Sequence, residues 1–470
     1  MKKFFSFFLM VCFILSSTAF CVSAQSAVDE SIRSGSHSAD ALMPLLGTDQ
    51  LITNAKSIML YEAKSDTLLY SWNADEQLPP SSLVKIMTAM LAIENGDLSA
   101  LVTVESEILN SVPAEAVDCE LQIGELLTLE QLLYCMMVGS ANDAAAVIAH
   151  HIAGSQQAFI AMMNERAQAL GCTGTNFMNV HGLHDELQYT TARDVTKILA
   201  EAIKSEQFRT IFGTVTYTVP QTNKFEERSF STGNYLMNQE ERPSYYDSRV
   251  TGGRTGVTEY SDRCIAATAE KNGLQVISIV MGAESVYEES GVEIRSFGGF
   301  PETTKLLDAA FDGYSRSQII YQGQILKQCS VTGGDCDVML GSDISVSTVL
   351  PAEVTYEDLS FRYTDAQAQL TAPIAKGTQL SIVQVYYGSL CVGQASVYAM
   401  NDVSVKQAQT VTDPQPVHDN GLWTKVLTVI GMIAVVLILI VIIFRIIGRV
   451  RLMSSRKRSL RYKKDRRRSR

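Results

Sequence analysis

The amino-acid sequence predicts an α+β domain, a small all-β domain after it and one membrane-crossing helix near the C-terminus. Short strand-like runs precede a long block of helical periodicity, and further strands and one helix follow it. That order assembles a single sheet from both ends of the segment. The stretch from about Arg316 to Met400 shows little helical signal and many short β-type runs. Val426 to Phe444 then runs 19 residues without a charge, enough to cross a hydrocarbon core.

The first residues carry an export signature. Met1-Lys2-Lys3 is a charged start, Phe4 to Leu15 is apolar apart from Ser6, and Val22-Ser23-Ala24 offers a small-residue cleavage site before Gln25. The apolar run is short for a span, and Phe20 before Cys21 is too bulky for a lipid-attachment site. Residues 25–48 are polar and read as a leader.

Ser57 to Tyr61 and Leu68 to Trp72 are strand-like runs flanking Lys64-Ser65-Asp66, a hairpin turn. Helical periodicity extends from Leu83 to about Phe212, clearest at Leu83 to Ile93, Leu129 to Met137, Ala144 to Ile152 and Gln156 to Leu170. Strand signals return at Thr214 to Val219, Cys264 to Ala269 and Leu274 to Met281, before a helix at Glu302 to Phe311. In the all-β segment the runs Ile344 to Leu350, Leu380 to Tyr387 and Ser396 to Met400 accompany turns at Gly333-Gly334 and Lys376-Gly377. Asn401 to about Asn420 is polar and reads as a stalk to the membrane.

Charge divides the chain sharply. Arg445 to Arg470 holds 13 Lys or Arg and one Asp, a net of +12 that the positive-inside rule places in the cytoplasm. Removing that +12 and the +2 of the two leading lysines from the net of −11 leaves about −25 on the exported part. An exported region so acidic is no nucleic-acid binder. The basic tail reads either as a plain stop-transfer signal or as a contact for anionic inner-leaflet lipid.

Nine cysteines include Cys12 and Cys21 in the export segment, leaving an odd seven with no C-x-x-C pair. That argues against a disulfide framework or a zinc site. Cys329 and Cys336 could close a hairpin, while Cys119, Cys135, Cys172, Cys264 and Cys391 read as buried thiols. No H-E-x-x-H occurs, and His150-His151 ends a predicted helix as an ordinary pair. These spacings offer no metal site.

Three short motifs carry the chemistry. A chain this long holds on the order of one S-x-x-K by accident, and Ser454 to Lys457 in the tail is one. Order, spacing and setting therefore decide. Pro79-Pro80-Ser81-Ser82 stops an extended stretch and opens a helix, so Ser82 alone would read as a helix cap. Lys85 follows at i+3 on the same face and can reach the Ser82 hydroxyl. A lysine activates a serine only when burial or a neighbouring cation lowers its pKa. Ser140-Ala141-Asn142-Asp143 precedes an apolar helix and reads either as a cap or as a proton relay at Ser140 with an amide donor at Asn142. Gly252-Gly253-Arg254-Thr255-Gly256 is either a glycine-rich turn or a strand edge along which a peptide can lie, with Arg254 and Thr255 holding a terminal carboxylate.

Together these residues resemble the penicillin-recognising serine enzymes, specifically the low-molecular-mass penicillin-binding proteins that are D-alanyl-D-alanine carboxypeptidases of peptidase family S11. Ser81 to Thr88 looks like the nucleophile segment of that family, and Leu132-Leu133-Tyr134 running into Ser140 to Ala145 looks like its second motif. Phe159 to Leu170, Thr175 to Leu183 and Tyr189 to Asp194 are similar to its intervening signature, and Leu370 to Gly377 to its C-terminal β-domain. The resemblance covers about residues 50 to 400.

The resemblance implies a serine β-lactamase/D,D-peptidase-like catalytic domain, an antiparallel sheet plus a helical subdomain. It implies removal of the last D-alanine from the stem pentapeptide of peptidoglycan, with β-lactams as inhibitors and with no metal or organic cofactor required. Ser82 would be the nucleophile, Lys85 the base and Ser140 the proton relay. Asn142, Arg254, Thr255 and Gly256 would bind substrate, and the backbone N–H groups of Ser82 and Val257 would form the oxyanion hole. The expected organisation is a signal peptide at 1–24, a leader at 25–48, the catalytic domain at 49–315 and the β-domain at 316–400. A stalk at 401–424, the membrane helix at 425–447 and a basic cytoplasmic tail at 448–470 complete it. The expected location is the cell membrane, single-pass, with the catalytic domain on the wall side.

Two features depart from the family. It usually carries Lys where this chain has Arg254, and arginine keeps the charge but cannot lend and regain a proton. Its usual ending is an amphipathic helix lying on the membrane, whereas Val426 to Phe444 reads as a true span. A non-catalytic penicillin-binding wall sensor and a β-lactamase are the alternative readings.

Overall fold

A computed structural model describes residues 54–288, 294–364, 369–407 and 420–465. The expected signal peptide and leader, half of the stalk and the end of the tail lie outside them. Residues to Val405 form one unit and the C-terminal helix belongs to another.

The first unit is built on a five-stranded antiparallel sheet. β1 (Ser57–Glu62) and β2 (Thr67–Trp72) form a hairpin, with Asp66 at a φ of 54° in the turn. Two short antiparallel pairs follow, β3 (Leu101–Thr103) with β4 (Leu126–Thr128) and β5 (Thr216–Val219) with β6 (Arg228–Ser231). β7 (Val250–Thr258), β8 (Asp262–Lys271) and β9 (Leu274–Ala283) complete the large sheet in the order β2-β1-β9-β8-β7. The sequence-distant β1 and β9 pair along their length, so the sheet is closed by both ends of the segment, as its order of elements implies.

Alternation along β9 explains why it sits in the middle. Ile277, Ile279 and Met281 enter a core shared with the helical block, while Val276 and Val280 enter a second core under the long helix Phe300–Gly313. A strand buried on both faces reads as an unbroken apolar run, and Val276 to Met281 is interrupted only by Ser278.

The helical block comprises α1 (Val84–Asn95), α2 (Ser106–Leu109), α3 (Leu129–Met137), α4 (Asn142–Ala153), α5 (Gln156–Ala169), α6 (Ala192–Ala202) and α7 (Glu206–Phe212), and α8 (Phe300–Gly313) closes the sheet's other face. Every residue of α1 from Val84 to Ala92 is buried, which marks it as a central core helix rather than a surface one. α3 starts at a reciprocal cap: Gln131 N–H donates to Thr128 Oγ1 and Thr128 N–H to Gln131 Oε1. α4 ends where Gly154 takes a left-handed φ of 76°.

The β-type segment begins with β12 (Tyr314–Ile320), after the minor pair β10 (Val286–Tyr287) and β11 (Ile294–Ser296). Its main sheet has the order β13-β15-β20-β19-β17, made of β13 (Ile325–Cys329), β15 (Val338–Gly341), β17 (Leu359–Thr364), β19 (Gln379–Tyr387) and β20 (Leu390–Ala399). β14 (Val331–Thr332) pairs with β18 (Leu370–Thr371), and β12 with β16 (Val346–Pro351). Val349 of β16 enters the core under α8, and Tyr314 Oη donates to Leu69 O at 3.1 Å, so this segment packs directly on the large sheet. Val403 is 1% exposed and bridges to Ile374, so the chain stays on the β-sheet past Asn401, where the stalk was expected to begin.

In the second unit α9 (Asn420–Asp465) contains Thr424–Ile447, a 24-residue stretch long and apolar enough to cross a membrane. Its side chains from Thr424 to Ile447 are exposed, and it is a candidate membrane anchor.

Buried charge ties the loop beside the helical block to the β5–β6 hairpin. Glu125, fully buried, accepts from Arg228, from Thr222 Oγ1 at 2.7 Å and from Gln122 N–H at 2.9 Å. Removing one partner of a buried pair leaves the other charge uncompensated, which costs about 3–5 kcal/mol. Glu125→Ala is therefore expected to lower the urea midpoint of unfolding markedly, and an unchanged midpoint would contradict this account.

Candidate active site

Ser82 lies in a 3-10 turn, Ser81–Leu83, that follows Pro79-Pro80 and runs directly into α1. No side-chain cap is made at either helix start, so capping does not explain the serine. Ser81 before it has a φ of 49°, a left-handed conformation that costs a non-glycine residue roughly 1–2 kcal/mol. Ser82 is half-buried and lines an open cleft of about 380 Å³ between the helical block and the edge of the sheet.

Lys85, one turn along α1, is 0% exposed. Its Nζ lies 2.5 Å from His181 O, 2.7 Å from Asn142 Oδ1 and 3.3 Å from Ser82 Oγ. Among the described residues no carboxylate contacts it. Burial first, and then the charge of Arg254, push its pKa well below the ordinary lysine range, with Asp143 opposing weakly. A neutral amine has two N–H donors and one lone pair. The two short contacts are to oxygens that only accept, so they consume both donors. A neutral Lys85 would therefore turn its lone pair to the Ser82 hydroxyl at 3.3 Å, the arrangement of a base beside its nucleophile.

Asn142 opens α4, and the next residue fixes the turn before it. The Asp143 carboxylate accepts from the N–H groups of Cys119 at 3.1 Å, Leu121 at 3.2 Å and Ala144 at 2.8 Å. Ser140 sits at a φ of 65° and is not the helix cap, since that place falls to Ala141 without a side-chain bond. Its Oγ instead accepts from Arg254 Nη2. The Ser140 proton is thus free to point elsewhere.

Arg254 is on β7, which is a strand through Val250–Thr258 and not a turn. β7 is the edge of the sheet, so a peptide can add along its outer side. Gly256 permits the close approach: a Cβ there would stand 2.5 Å from Ser82 N and 2.6 Å from Ser81 Oγ. Gly182 does the same from the other side, at a φ of 92°, with a hypothetical Cβ 2.0 Å from Ser81 O. Arg254 is buried and also donates from Nη1 to Met137 O at 2.9 Å and from Nε to Ser82 O at 3.4 Å. Burial lowers its pKa to about 10, leaving it charged at neutral pH. Thr255 Oγ1 reaches Gly233 O at 3.5 Å, and Val257 is exposed in the cleft.

All the residues expected from the motifs, Ser82, Lys85, Ser140, Asn142, Arg254, Thr255, Gly256 and Val257, therefore meet around one cleft, with Lys85 beneath its floor. Sequence reasoning missed the carbonyl of His181, the contact of Gly182, the clamp at Asp143 and Arg263 on the cleft wall. His181 is neutral, its pKa driven down to about 4 by burial and then by Lys85. Backbone roles leave no residue-type signal, although His181 and Gly182 fall inside the segment whose resemblance is noted above. One open question about the cysteines is answered and one expectation is corrected. Cys329 and Cys336 are free thiols, because Cys336 turns outward to within 3.7 Å of Asp402 O. Cys391, expected to be buried, is half-buried.

The Gly256 contact makes a sharp prediction. Gly256→Ala should leave the protein folded and cut acylation of Ser82 by a serine-directed reagent by roughly 100-fold, since a misplacement of about 1 Å can cost that much. Acylation at the wild-type rate would show that the strand and serine need not touch.

Comparison with known proteins agrees with this geometry. A family profile described as D-alanyl-D-alanine carboxypeptidase matches residues 47–285, and one described as the C-terminal domain of penicillin-binding protein 5 matches 314–405. The chain is 28% identical to D-alanyl-D-alanine carboxypeptidase DacF of Bacillus subtilis (strain 168), over 80% of this chain and 92% of that one. It is 28% identical to DacC of Escherichia coli (strain K12), over 74% and 84%. Among solved structures, penicillin-binding protein 5 of Haemophilus influenzae is similar with a TM-score of 0.58 and 27% identity, covering 76% of this chain and all of that one. A fold, a cleft and a family profile spanning half the chain lead to one conclusion: this chain belongs to the D-alanyl-D-alanine carboxypeptidases of peptidase family S11.

Proposed function

We propose that this protein is a membrane-tethered D-alanyl-D-alanine carboxypeptidase that removes the terminal D-alanine from peptidoglycan stem pentapeptides. The observation that carries the reading is the buried Lys85 amine with Ser82 Oγ 3.3 Å away and, among the described residues, no carboxylate in contact with it. The family profile and the named relatives support the same activity.

Ser82 attacks the carbonyl between the two D-alanines while Lys85 takes its proton. Oxyanion charge falls on the N–H groups of Ser82 and Val257. Ser140, accepting from Arg254, passes its proton to the departing amine as the C–N bond breaks and regains one from the Lys85 ammonium, and water then hydrolyses the ester on Ser82. The Asn142 amide, its Oδ1 turned to Lys85, keeps its N–H₂ for a substrate carbonyl. Arg254 and Thr255 serve the terminal carboxylate, with two guanidinium N–H groups left after the contacts to Met137, Ser140 and Ser82. Arginine stays charged throughout, so proton traffic belongs to Lys85 and Ser140 alone. β-lactams trap the same serine. We assign the catalytic domain to 49–315, the β-domain to 316 onward and the membrane helix to 425–447, with the catalytic domain on the wall side and the basic tail inside.

The test is D-alanine release from a pentapeptide ending in D-Ala-D-Ala by the full chain in detergent, beside Ser82→Ala. Wild-type release that falls roughly 10⁴-fold or more in the variant is expected. Penicillin labelling of Ser82 without release would turn the assignment to a wall sensor, and rapid penicillin hydrolysis would turn it to a β-lactamase.

A further inference from the structure

A second cavity, of about 140 Å³, opens between α7 and the start of β7, at the end of that strand away from the serine. Phe212 gives it an apolar wall, and Arg209, Thr251, Thr268, Glu270 and Gln275 turn it polar. None of these residues lines the serine cleft. The gap has a local cause. The ladder between β7 and β8 slips between Val250 and Gly252, a bulge that bends the strand at Thr251. α7 rests on that bulge: a Cβ on Gly213 would stand 2.6 Å from Thr251 O, and one on Gly252 would stand 2.5 Å from Phe212 Cδ1.

The polar groups around the cavity keep bonding capacity to spare. Arg209 donates from Nη1 to Ile203 O at 2.6 Å and to Lys204 O at 3.0 Å, and among the described residues its Nε and Nη2 donate to nothing. Glu270 gives Oε1 to Lys64 at 2.7 Å, an exposed pair of the weak kind. Its Oε2 has no partner among the described residues. Gln275 is bonded there only through its main chain, its N–H donating to Glu62 Oε1 at 2.9 Å. The hydroxyls of Thr251 and Thr268 lie 3.0 Å apart, and Thr268 Oγ1 reaches Gly252 O at 3.4 Å. If Thr251 donates to Thr268 and Thr268 to Gly252, both oxygens remain acceptors.

Donors therefore enter from the helix and acceptors from the sheet, and Arg209 and Glu270 share the cavity without pairing with each other. A ligand carrying an anion and a cation on adjoining atoms satisfies both walls at once. At ~30 Å³ per water the space suits a molecule of roughly five non-hydrogen atoms, the scale of the smallest amino acids.

We propose that this cavity is a second ligand site, for a small free amino acid. Arg209 takes its carboxylate, and Glu270 with the Thr251 and Thr268 oxygens takes its ammonium. The identity of the ligand rests on the carboxypeptidase reading, since the D-alanine released at the cleft is a zwitterion of this size. Thr251 is three residues before Arg254, which holds Ser140 and the serine turn, so occupancy acts on the strand that the cleft depends on.

The test is calorimetric titration of D-alanine into the full chain in detergent, with Ser82 acylated by benzylpenicillin so that the cleft is filled. Saturable binding at one site is expected. D-Alaninamide, which lacks the carboxylate, and D-lactate, which lacks the ammonium, should each bind roughly 10-fold or more weaker, as for one lost charge-assisted contact. Arg209→Gln and Glu270→Gln should weaken D-alanine to a similar degree while Ser82 still acylates, which shows that they fold. L-Alanine binding as well as D-alanine supports the site and widens its ligand to any small amino acid. Acylation of Ser82 by benzylpenicillin should change with added D-alanine in the wild type and not in Arg209→Gln. A rate indifferent to D-alanine, or one that responds equally in that variant, overturns the link to β7. Absence of saturable binding, or equal binding of the amide and the lactate, overturns the site and leaves the carboxypeptidase reading standing. A chain that binds D-alanine yet releases none from a pentapeptide keeps the site and overturns that reading instead.

Discussion

A lysine amine sealed inside the protein is the constraint on which the rest of the site depends. Burying a charged ammonium without a partner is so unfavourable that the group gives up its proton instead. Lys85 can occupy the middle of α1 only because three separate segments each supply one polar atom: the 3-10 turn supplies Ser82 Oγ, α4 supplies Asn142 Oδ1 and the loop before α6 supplies His181 O. Two of those atoms accept only, so the contact that remains for the lone pair is the serine. The same burial that threatens the fold therefore creates the base.

The sheet edge completes what the buried amine begins. β7 must lie against the serine turn, which only glycine at 256 permits, and alternation then sends Arg254 inward to Ser140 and Thr255 outward to the cleft wall. Replacing the family's usual lysine by arginine at 254 keeps a cation beside Lys85, and that cation also depresses the amine's pKa. The longer, forked side chain binds Met137 O and Ser82 O as well, so it braces the turn that carries the nucleophile. Backbone geometry shares the work: left-handed Ser81 and Ser140 hold strained conformations where the reactive groups converge.

Much of this was legible in the sequence because the features that decide it are local. The periodicity at Leu129 to Met137 matches α3 residue for residue, and the spacing of Ser82 and Lys85 places both on one turn. The ambiguous readings were settled by geometry. Ser82 and Ser140 look like helix caps because caps and active serines favour the same sites, yet neither caps a helix. Gly252 to Gly256 looks like a turn because glycine is rare in strands, but there the missing Cβ makes room for the serine. What stayed hidden acts through long-range packing or the main chain. His181 contributes a carbonyl, which any residue has, and Arg263 gains its place only through register with Val257. Whether Cys329 pairs with Cys336 was open in the sequence for a related reason, since proximity in sequence does not set the direction of either side chain; both are free thiols.

The most direct test of the central claim is titration of the Lys85 amine itself. The full chain in detergent, labelled with ¹³C at lysine Cε, would be followed by NMR against pH, with the Lys85 resonance identified by its loss in Lys85→Met. The account predicts a resonance that changes far below about 10.4, the ordinary lysine value, and that is already neutral at the pH where the serine reacts. A Lys85 that titrates at or above the ordinary value would mean that the amine is charged in the folded protein, and it could not then be the base.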